Sequence, residues 1–246
     1  MAEPSRALAS TPPGWNYGEH LAAVTDRIRA AEAMAGRAGS GVRLLVATKS
    51  WDADAAAAVV RAGGSLVGES RMQELDAKGE ALREAGARID VIGQLQRNKA
   101  AIAARWADCV QTVDSLALAQ RLSHLVTEAG RELDVMIQVN VSGEETKAGV
   151  EPAEALNLAS AAQALPGLTV TGWMTIGLNS REETAVRAGY RTLREIRDTA
   201  LVRSERGELD LREAWELSMG MSNDLEWAIA EGATIVRVGT AVMGRR

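Results

Sequence analysis

Two spacings of apolar residues alternate along the chain from about residue 15 to the end. Short apolar runs such as VRLLVAT (42–48) and ATIVRVGT (233–240) are typical of buried strands. DSLALAQRLSHLV (114–126) instead places Leu118 and Leu122 on one face of a helix, three to four residues from their apolar neighbours. The pattern therefore predicts strands and helices in regular alternation.

Eight strand segments are predicted, and helical segments separate them. The predicted strands are 42–48, around 65–67, 88–92, around 109–112, 133–141, 168–174, a segment within EAWELSM (213–219), and 233–240. The predicted helices are 15–38, 54–62, 70–85, one from about 97, 114–126, 152–164, 181–203, and one that begins at Ser222 or Asn223 and stops at Gly232.

The lengths of the connections predict the fold class. They are too long for hairpins, so the strands should be parallel and joined by helical crossovers. Eight such units predict an α/β protein with a closed (β/α)8 TIM barrel and an extra N-terminal helix, with a doubly wound open sheet as the main alternative. At 246 residues the chain suits one domain of this type. We expect it to occupy residues 14–246, after a disordered lead at 1–13.

Composition excludes several classes of function. The net charge of −5 gives no basic field for nucleic acid. One cysteine and two histidines argue against a disulfide framework and against a metal site. No stretch reaches the ~18 apolar residues of a membrane span, and the N-terminus lacks the apolar core of a secretory signal. We expect a cytoplasmic protein that binds neither metal nor membrane.

Lysine is scarce in this chain, since only four of its 28 cationic residues are lysines. Lys49 directly follows the first predicted strand, where its amine could attack a carbonyl group, which an arginine cannot do. Lys78 reads as a plain helix-surface residue, and Lys99 as structural or solvent-facing. Lys147 lies in a polar loop, either as a solvated residue or as part of a site.

Polar residues follow the predicted strands one after another. In (β/α)8 barrels, functional residues gather where the C-terminal ends of the strands meet. The candidates at this rim are Lys49 after strand one, Glu69 and Ser70 after two, Gln94, Gln96 and Asn98 after three, Asp114 and Ser115 after four, Asn140, Ser142 and Lys147 after five, Met174 and Thr175 at the end of six, Ser218 and Ser222 after seven, and Gly239 and Thr240 after eight.

The last strand offers a specific chemistry. Backbone N–H groups at Gly239 and Thr240, with Ser222 opposite, suit a phosphate group. Closing the barrel places them beside Lys49. Pyridoxal 5′-phosphate (PLP), a phosphorylated aldehyde, could bridge the two, with Lys49 forming the Schiff base. Arg237 shares the side of Gly239 and could reach the pyridine nitrogen. It could alternatively pair with a glutamate, Glu69 or Glu216.

Several motifs together carry a resemblance to a known family. They are ATKS, GESRMQE, IGQLQRNK, VDSL, VNVSGEETKAG, GWMTI and SMGMSNDLEWAIAEGATIVRVGTA, from Val42 to Gly244. The chain resembles the pyridoxal phosphate homeostasis protein family, whose barrel is similar to the N-terminal domain of alanine racemase. The resemblance implies that Lys49 forms the aldimine, that Arg237 meets the pyridine nitrogen, that Ser222, Gly239 and Thr240 surround the phosphate, that Ser218 and Met219 line the site, and that Lys147 lies near it.

Three positions depart from the family pattern. Ser70 stands where members typically have asparagine, Trp51 where many have a second lysine, and Arg71 where many have tyrosine. These differences affect the expected accessory contacts to the cofactor and the transfer of cofactor between lysines. They leave the predicted role of Lys49 unchanged.

Three functions remain open at this point. The first is a PLP-binding protein of intracellular vitamin B6 homeostasis with little or no turnover, which could serve apo PLP-dependent enzymes and is expected to be a monomer. The second is a fold-type III enzyme such as an amino-acid racemase, which needs a base on each face of the substrate carbon. The chain ends six residues after Thr240, so we expect no second domain, and Tyr17 and Tyr190 fall in helices. The third is a phosphate-binding module without the lysine bond.

Overall fold

A computed structural model describes residues 8–144 and 148–245 of the protein. Its centre is a closed barrel in which each strand pairs in parallel with the next and β8 returns to β1. The strands are Arg43–Ala47 (β1), Leu66–Glu69 (β2), Arg88–Val91 (β3), Cys109–Val113 (β4), Leu133–Gln138 (β5), Leu168–Met174 (β6), Glu216–Met221 (β7) and Ile235–Val238 (β8).

Helices surround this barrel and connect its strands. They are Tyr17–Met34 (α1), Ala53–Arg61 (α2), Met72–Glu84 (α3), Ala100–Trp106 (α4), Leu116–Glu128 (α5), Ala155–Gln163 (α6), Glu183–Glu205 (α7), Leu225–Ala230 (α8) and Thr240–Met243 (α9), with 3-10 turns at Arg97–Lys99 and Pro152–Glu154. The predicted (β/α)8 barrel with an extra N-terminal helix is confirmed, and the open sheet is excluded.

The start of one helix differs from its prediction. Neither Ser222 nor Asn223 caps α8; the cap residue is Asp224, whose carboxylate accepts a hydrogen bond from the Met221 N–H at 2.6 Å. That carboxylate closes a turn before the helix begins, so the helix starts one or two residues later than the pattern indicates. Gly232, at φ +107°, follows the helix as predicted.

The core has two layers. Outward-facing strand residues such as Val46 and Val236 pack against the helices. A separate apolar cluster fills the barrel interior, formed by Leu45, Leu66, Cys109, Met136, Met174 and Ile235 with Ile92 beside it. The interior is crowded: a Cβ added at Gly68 would lie 2.3 Å from the Leu45 side chain. Burial raises the pKa of the Cys109 thiol, so this cysteine is a packing residue.

Residues 9–11, which belong to the predicted lead at 1–13, make hydrogen bonds to the turn after β1 and to α1. Ala9 bridges to Trp51, donating its N–H to the Ser50 carbonyl and accepting from the Asp52 N–H. The Ser10 hydroxyl donates to the Asp52 carboxylate at 2.5 Å. This segment therefore covers the turn that follows β1. Within the described ranges, no helix has both the length and the apolar character needed to cross a bilayer.

Helix α3 allows a test of the packing between helices. Alanine normally stabilises a helix interior relative to glycine by about 0.5–1 kcal/mol. A Cβ at Gly79, however, would lie 2.3 Å from the Trp106 ring. We expect Gly79→Ala to lower the free energy of unfolding by about 1–3 kcal/mol, as overpacking does, measured by urea denaturation. In a Trp106→Leu background, where the ring is absent, Gly79→Ala should instead raise the free energy of unfolding. If Gly79→Ala raised it in the wild-type background, the packing described here would be wrong.

Candidate functional site at the carboxyl end of the barrel

Lys49 lies in a tight turn just beyond β1. Thr48 is fully buried, whereas Lys49 is exposed. Ser50 follows with φ +69°, a left-handed conformation that costs a non-glycine residue energy. The Ser50 N–H donates to the Glu74 carboxylate at 2.5 Å and its carbonyl accepts from Ala9. The turn is thus held from two sides and presents the Lys49 amine to the rim.

A buried ion pair supports this turn from below. Lys78, which the sequence pattern placed on a helix surface, is fully buried, and its Nζ lies 2.6 Å from the Glu69 carboxylate, itself fully buried. Nζ also donates to the Thr48 carbonyl at 3.0 Å, and the Thr48 hydroxyl donates to Glu69 at 2.6 Å. Lys78 thereby ties α3 and β2 to the residue that precedes Lys49. The surface interpretation of Lys78 is wrong.

Arg237 lies inside the barrel with only a few per cent of its surface exposed. Its guanidinium donates to the Ser218 hydroxyl at 2.8 Å and to the Thr175 carbonyl at 2.7 Å. It pairs with neither Glu69 nor Glu216, because Glu69 pairs with Lys78 and Glu216 with Arg43. These two bonds use two of its five N–H donors. The remaining donors suit an acceptor placed above the barrel, such as a pyridine nitrogen.

Barrel closure places the end of β8 against the start of the Lys49 turn. Val46 pairs with Val238, and a Cβ added at Gly239 would lie 3.4 Å from the Ala47 carbonyl, an ordinary contact. Gly239 caps α9, whose first N–H groups have no partner within the helix. The protein itself leaves room at Gly239, so a ligand can approach its backbone closely.

A cleft of about 1770 Å³ opens beside these residues. Its walls come from the loop after β6, the loop after β7, the start of α9 and the N-terminal segment. Ser222 and Thr240 line it, as do Trp15, Asp224 and Arg245. Lys49, Ser218, Arg237 and Gly239 lie outside its lining, so the cleft borders only the phosphate candidates Ser222 and Thr240.

The remaining candidates lie in different surroundings. Met174 is buried in the interior cluster, whereas Met219 packs in the layer between barrel and helices, so its side chain faces away from Arg237. Asn140 is 5% exposed, and its amide oxygen accepts from the Ser142 hydroxyl at 2.8 Å. Ser70 is half-buried after β2. Lys147 lies outside the described residues.

Two of the three residues that depart from the family pattern, Trp51 and Arg71, make defined contacts near the Lys49 turn. Trp51 is 3% exposed and packs in the core, where it anchors the N-terminal segment. It is therefore a packing residue at the base of the Lys49 turn. Arg71 pairs with Glu74 at 3.1 Å, and so touches the carboxylate that holds the Ser50 N–H. Nothing in the structure explains the serine at position 70.

Tyr190 on α7 supports two loops of the cleft, a contact that the sequence pattern did not reveal. Its hydroxyl donates to the Asp224 carboxylate at 2.7 Å. Burial raises the pKa of this tyrosine, and the Asp224 carboxylate raises it further. A Cβ at Gly177 would lie 2.5 Å from the same hydroxyl. Tyr190 thus fixes the loops after β6 and β7, which form two walls of the cleft.

Comparison with known proteins identifies the class. The family model described as alanine racemase, N-terminal domain, matches residues 20–246. Pyridoxal phosphate homeostasis protein from Pseudomonas aeruginosa is 40% identical over 229 residues, covering 93% of this chain and 95% of the relative. The homonymous protein from Aquifex aeolicus is 38% identical over 231 residues, with 94% and 99% covered.

Solved structures agree with this result. PipY of Synechococcus elongatus PCC7942, solved with PLP bound, is 30% identical with a TM-score of 0.78, covering 93% of this chain and 100% of that one. An alanine racemase from Clostridium difficile 630 has a TM-score of 0.69 at 16% identity and 63% coverage of its own length, which shows the fold alone. Fold and site together define a barrel of the alanine racemase N-terminal type. The chain belongs to the pyridoxal phosphate homeostasis protein family, as its motifs indicated.

The buried ion pair can be tested by removing its cation. Lys78→Met leaves the Glu69 carboxylate buried without its partner, and we expect a loss of about 3–5 kcal/mol in the free energy of unfolding at pH 7. Urea denaturation measures this loss.

The loss in the free energy of unfolding of Lys78→Met should depend on pH. Burial raises the folded-state pKa of Glu69 even beside Lys78, and removing Lys78 takes away the main effect that opposes this rise. The deficit should therefore shrink as the pH falls through the raised folded-state pKa and be smallest below the unfolded value of about 4.3, where the carboxyl is protonated in both states. The double variant Lys78→Met/Glu69→Gln is the matched control and should recover most of the loss at pH 7. A deficit that does not change with pH would contradict the pairing.

Proposed function

We propose that this protein binds PLP at the barrel rim and serves intracellular PLP homeostasis, with little or no turnover of its own. Lys49 would be the point of covalent attachment, Arg237 would donate to the ring nitrogen, and Ser222, Gly239 and Thr240 would surround the phosphate. The observation that carries the proposal is the closure of β8 onto β1. It brings the Lys49 turn beside Gly239, although the two are 190 positions apart in sequence.

The residues present fit such a ligand. An exposed amine suits the aldehyde, unshared N–H donors on a buried guanidinium suit an aromatic nitrogen, and open backbone N–H groups beside a hydroxyl suit a phosphate. When bound, PLP supplies an electron-withdrawing ring. An always-protonated guanidinium donates to an unprotonated ring nitrogen, which keeps that ring a weak electron sink. Arg237 therefore favours holding the cofactor over activating it.

The placement of the possible second bases supports a carrier rather than a racemase. Tyr190 donates to Asp224 in the wall of the cleft, and Tyr17 bonds to Thr11 beside α1. His20 stacks on Trp15 at 3.8 Å between ring centroids, and His124 faces Glu128 on α5. Each of these groups already has a partner. The relatives are named homeostasis proteins rather than racemases, which also favours a carrier. We further propose that the protein acts as a monomer and delivers PLP to apo enzymes.

Covalent attachment can be tested directly. Wild-type protein incubated with PLP should turn yellow, and borohydride reduction should fix one pyridoxyl group on Lys49, located by peptide mass spectrometry. Lys49→Arg keeps the charge but cannot form the bond, so it should remain colourless. Lys99→Ala is the matched control and should behave as wild type. Labelling at a lysine other than Lys49 would contradict the assignment, and a colourless wild type would contradict PLP binding.

Turnover is a separate test. A missing general base typically costs ~10²–10⁴-fold in rate. We therefore expect the PLP-loaded protein to racemise alanine at least that much more slowly than an alanine racemase assayed beside it. Chiral chromatography of the products measures the rate. A rate equal to that of the racemase would overturn the carrier function while leaving PLP binding intact.

A further inference from the structure

Arg237 is a buried charge that forms no ion pair with a carboxylate of the residues that the structure describes. Burial lowers the pKa of its guanidinium. Its hydrogen-bond acceptors are a hydroxyl and a carbonyl rather than a carboxylate. Buried charges are normally paired with an opposite charge, because an uncompensated one is costly. The negative charge of Asp224 acts on Arg237 from a distance, without a hydrogen bond, so the orientation of the guanidinium depends on its two neutral acceptors.

A row of side chains crosses the barrel interior from Arg237 to the opposite wall. Arg237 on β8 donates to the Ser218 hydroxyl on β7 at 2.8 Å, and that hydroxyl donates to the Gln111 carbonyl oxygen on β4 at 2.6 Å. The Gln111 amide nitrogen in turn donates to an Asp90 carboxylate oxygen on β3 at 2.5 Å. Asp90, Gln111 and Ser218 are all buried at 1% exposure or less.

The direction of every bond in this row follows from its first member. A guanidinium has donors only, so Ser218 must accept from Arg237 and turn its own proton towards Gln111. The carboxamide must then present its oxygen to Ser218 and its NH₂ to Asp90, which accepts. The dipoles of Ser218 and Gln111 are therefore aligned between a cation and a carboxyl group, the arrangement in which hydrogen bonds reinforce one another.

We propose that Asp90 and Gln111 are positioning residues that, through Ser218, fix the rotation of the Arg237 guanidinium and so aim its free N–H at the ring nitrogen of bound PLP. The proposal rests on the proposed PLP site. The second bond of Arg237, to the Thr175 carbonyl, leaves the side chain free to pivot about that contact. The bond to Ser218 removes this freedom. No direct contact between Asp90 or Gln111 and the cofactor is needed.

Asp90 suits this role in either protonation state. Burial raises the pKa of its carboxyl to about 7, against the opposing effects of Arg88, the Gln111 bond and Arg43, while Asp108 adds to the rise. Arg88 is the nearest cation, with Nε 3.6 Å from the second carboxylate oxygen. A protonated carboxyl still offers an acceptor oxygen to Gln111, so the row keeps its direction across neutral pH. An asparagine at position 90 also offers that acceptor.

The experiment measures dissociation constants for PLP and for its 1-deaza analogue, in which a C–H replaces the ring nitrogen. Gln111→Met removes both polar contacts of the amide while keeping its length. We expect Gln111→Met to weaken PLP binding roughly tenfold, the effect of losing one hydrogen bond to a charged group, and to displace the visible absorption band. Binding of the deaza analogue should not change, because that ligand has no acceptor for Arg237.

Three further variants separate positioning from general damage. Asp90→Leu removes the acceptor of Gln111 and should weaken PLP binding as Gln111→Met does, whereas Asp90→Asn, which keeps that acceptor, should restore it. Thr112→Val removes a neighbouring buried hydrogen bond on β4, from Thr112 to the Gly93 carbonyl at 2.9 Å, and should leave both dissociation constants unchanged. Thermal unfolding of each variant confirms that it is folded.

The outcomes decide between the alternatives. Equal weakening of PLP and the analogue in Gln111→Met would show a merely structural role, and unchanged PLP binding would show that the row does not orient Arg237. Either result overturns the proposal. Wild-type protein that fails to bind PLP at all would instead overturn the proposed function, which the borohydride labelling of Lys49 decides independently.

Discussion

The pairing of β1 with β8 is the interaction on which the rest of this site depends. Four residue pairs, from Arg43 with Ile235 to Val46 with Val238, align the first and last strands. Because the pairing is parallel, both strands point their carboxyl ends to the same rim. An amine and a set of backbone donors at opposite ends of the chain thereby become neighbours. Without closure, an open sheet would leave them at opposite edges.

Closure alone does not orient the amine; the support beneath it does. The Lys49 turn contains a residue in a left-handed conformation and lies above a buried ion pair, both of which cost energy locally. Lys78 offsets part of this cost by bonding to Glu69 and to the Thr48 carbonyl together. The N-terminal segment and Trp51 close the turn from the outer side. The turn that carries the exposed Lys49 is thus held by hydrogen bonds from α3 and from the N-terminal segment.

The sequence predicted the barrel well because the alternation of apolar periods repeats eight times. It also placed Lys49 after β1, Ser222 after β7, and Gly239 and Thr240 after β8, three strands that the closed barrel brings side by side. It failed where tertiary contacts override local pattern. Lys78 has the spacing of a helix-surface residue, and only the approach of β2 buries it against Glu69. Asp224 displaced the predicted caps of α8 because its carboxylate bonds to a backbone N–H of the preceding turn.

The polar row from Asp90 to Arg237 could not be predicted for a related reason. Its members lie on four strands, and each alone reads as a polar exception in an apolar run. Their relation appears only when the barrel brings β3 and β4 opposite β7 and β8. A polar row of this kind is costly to bury unless every bond is made, so its presence in the centre of a core that could have been apolar needs a compensating use. Orienting the Arg237 guanidinium through Ser218, as we propose, would be such a use.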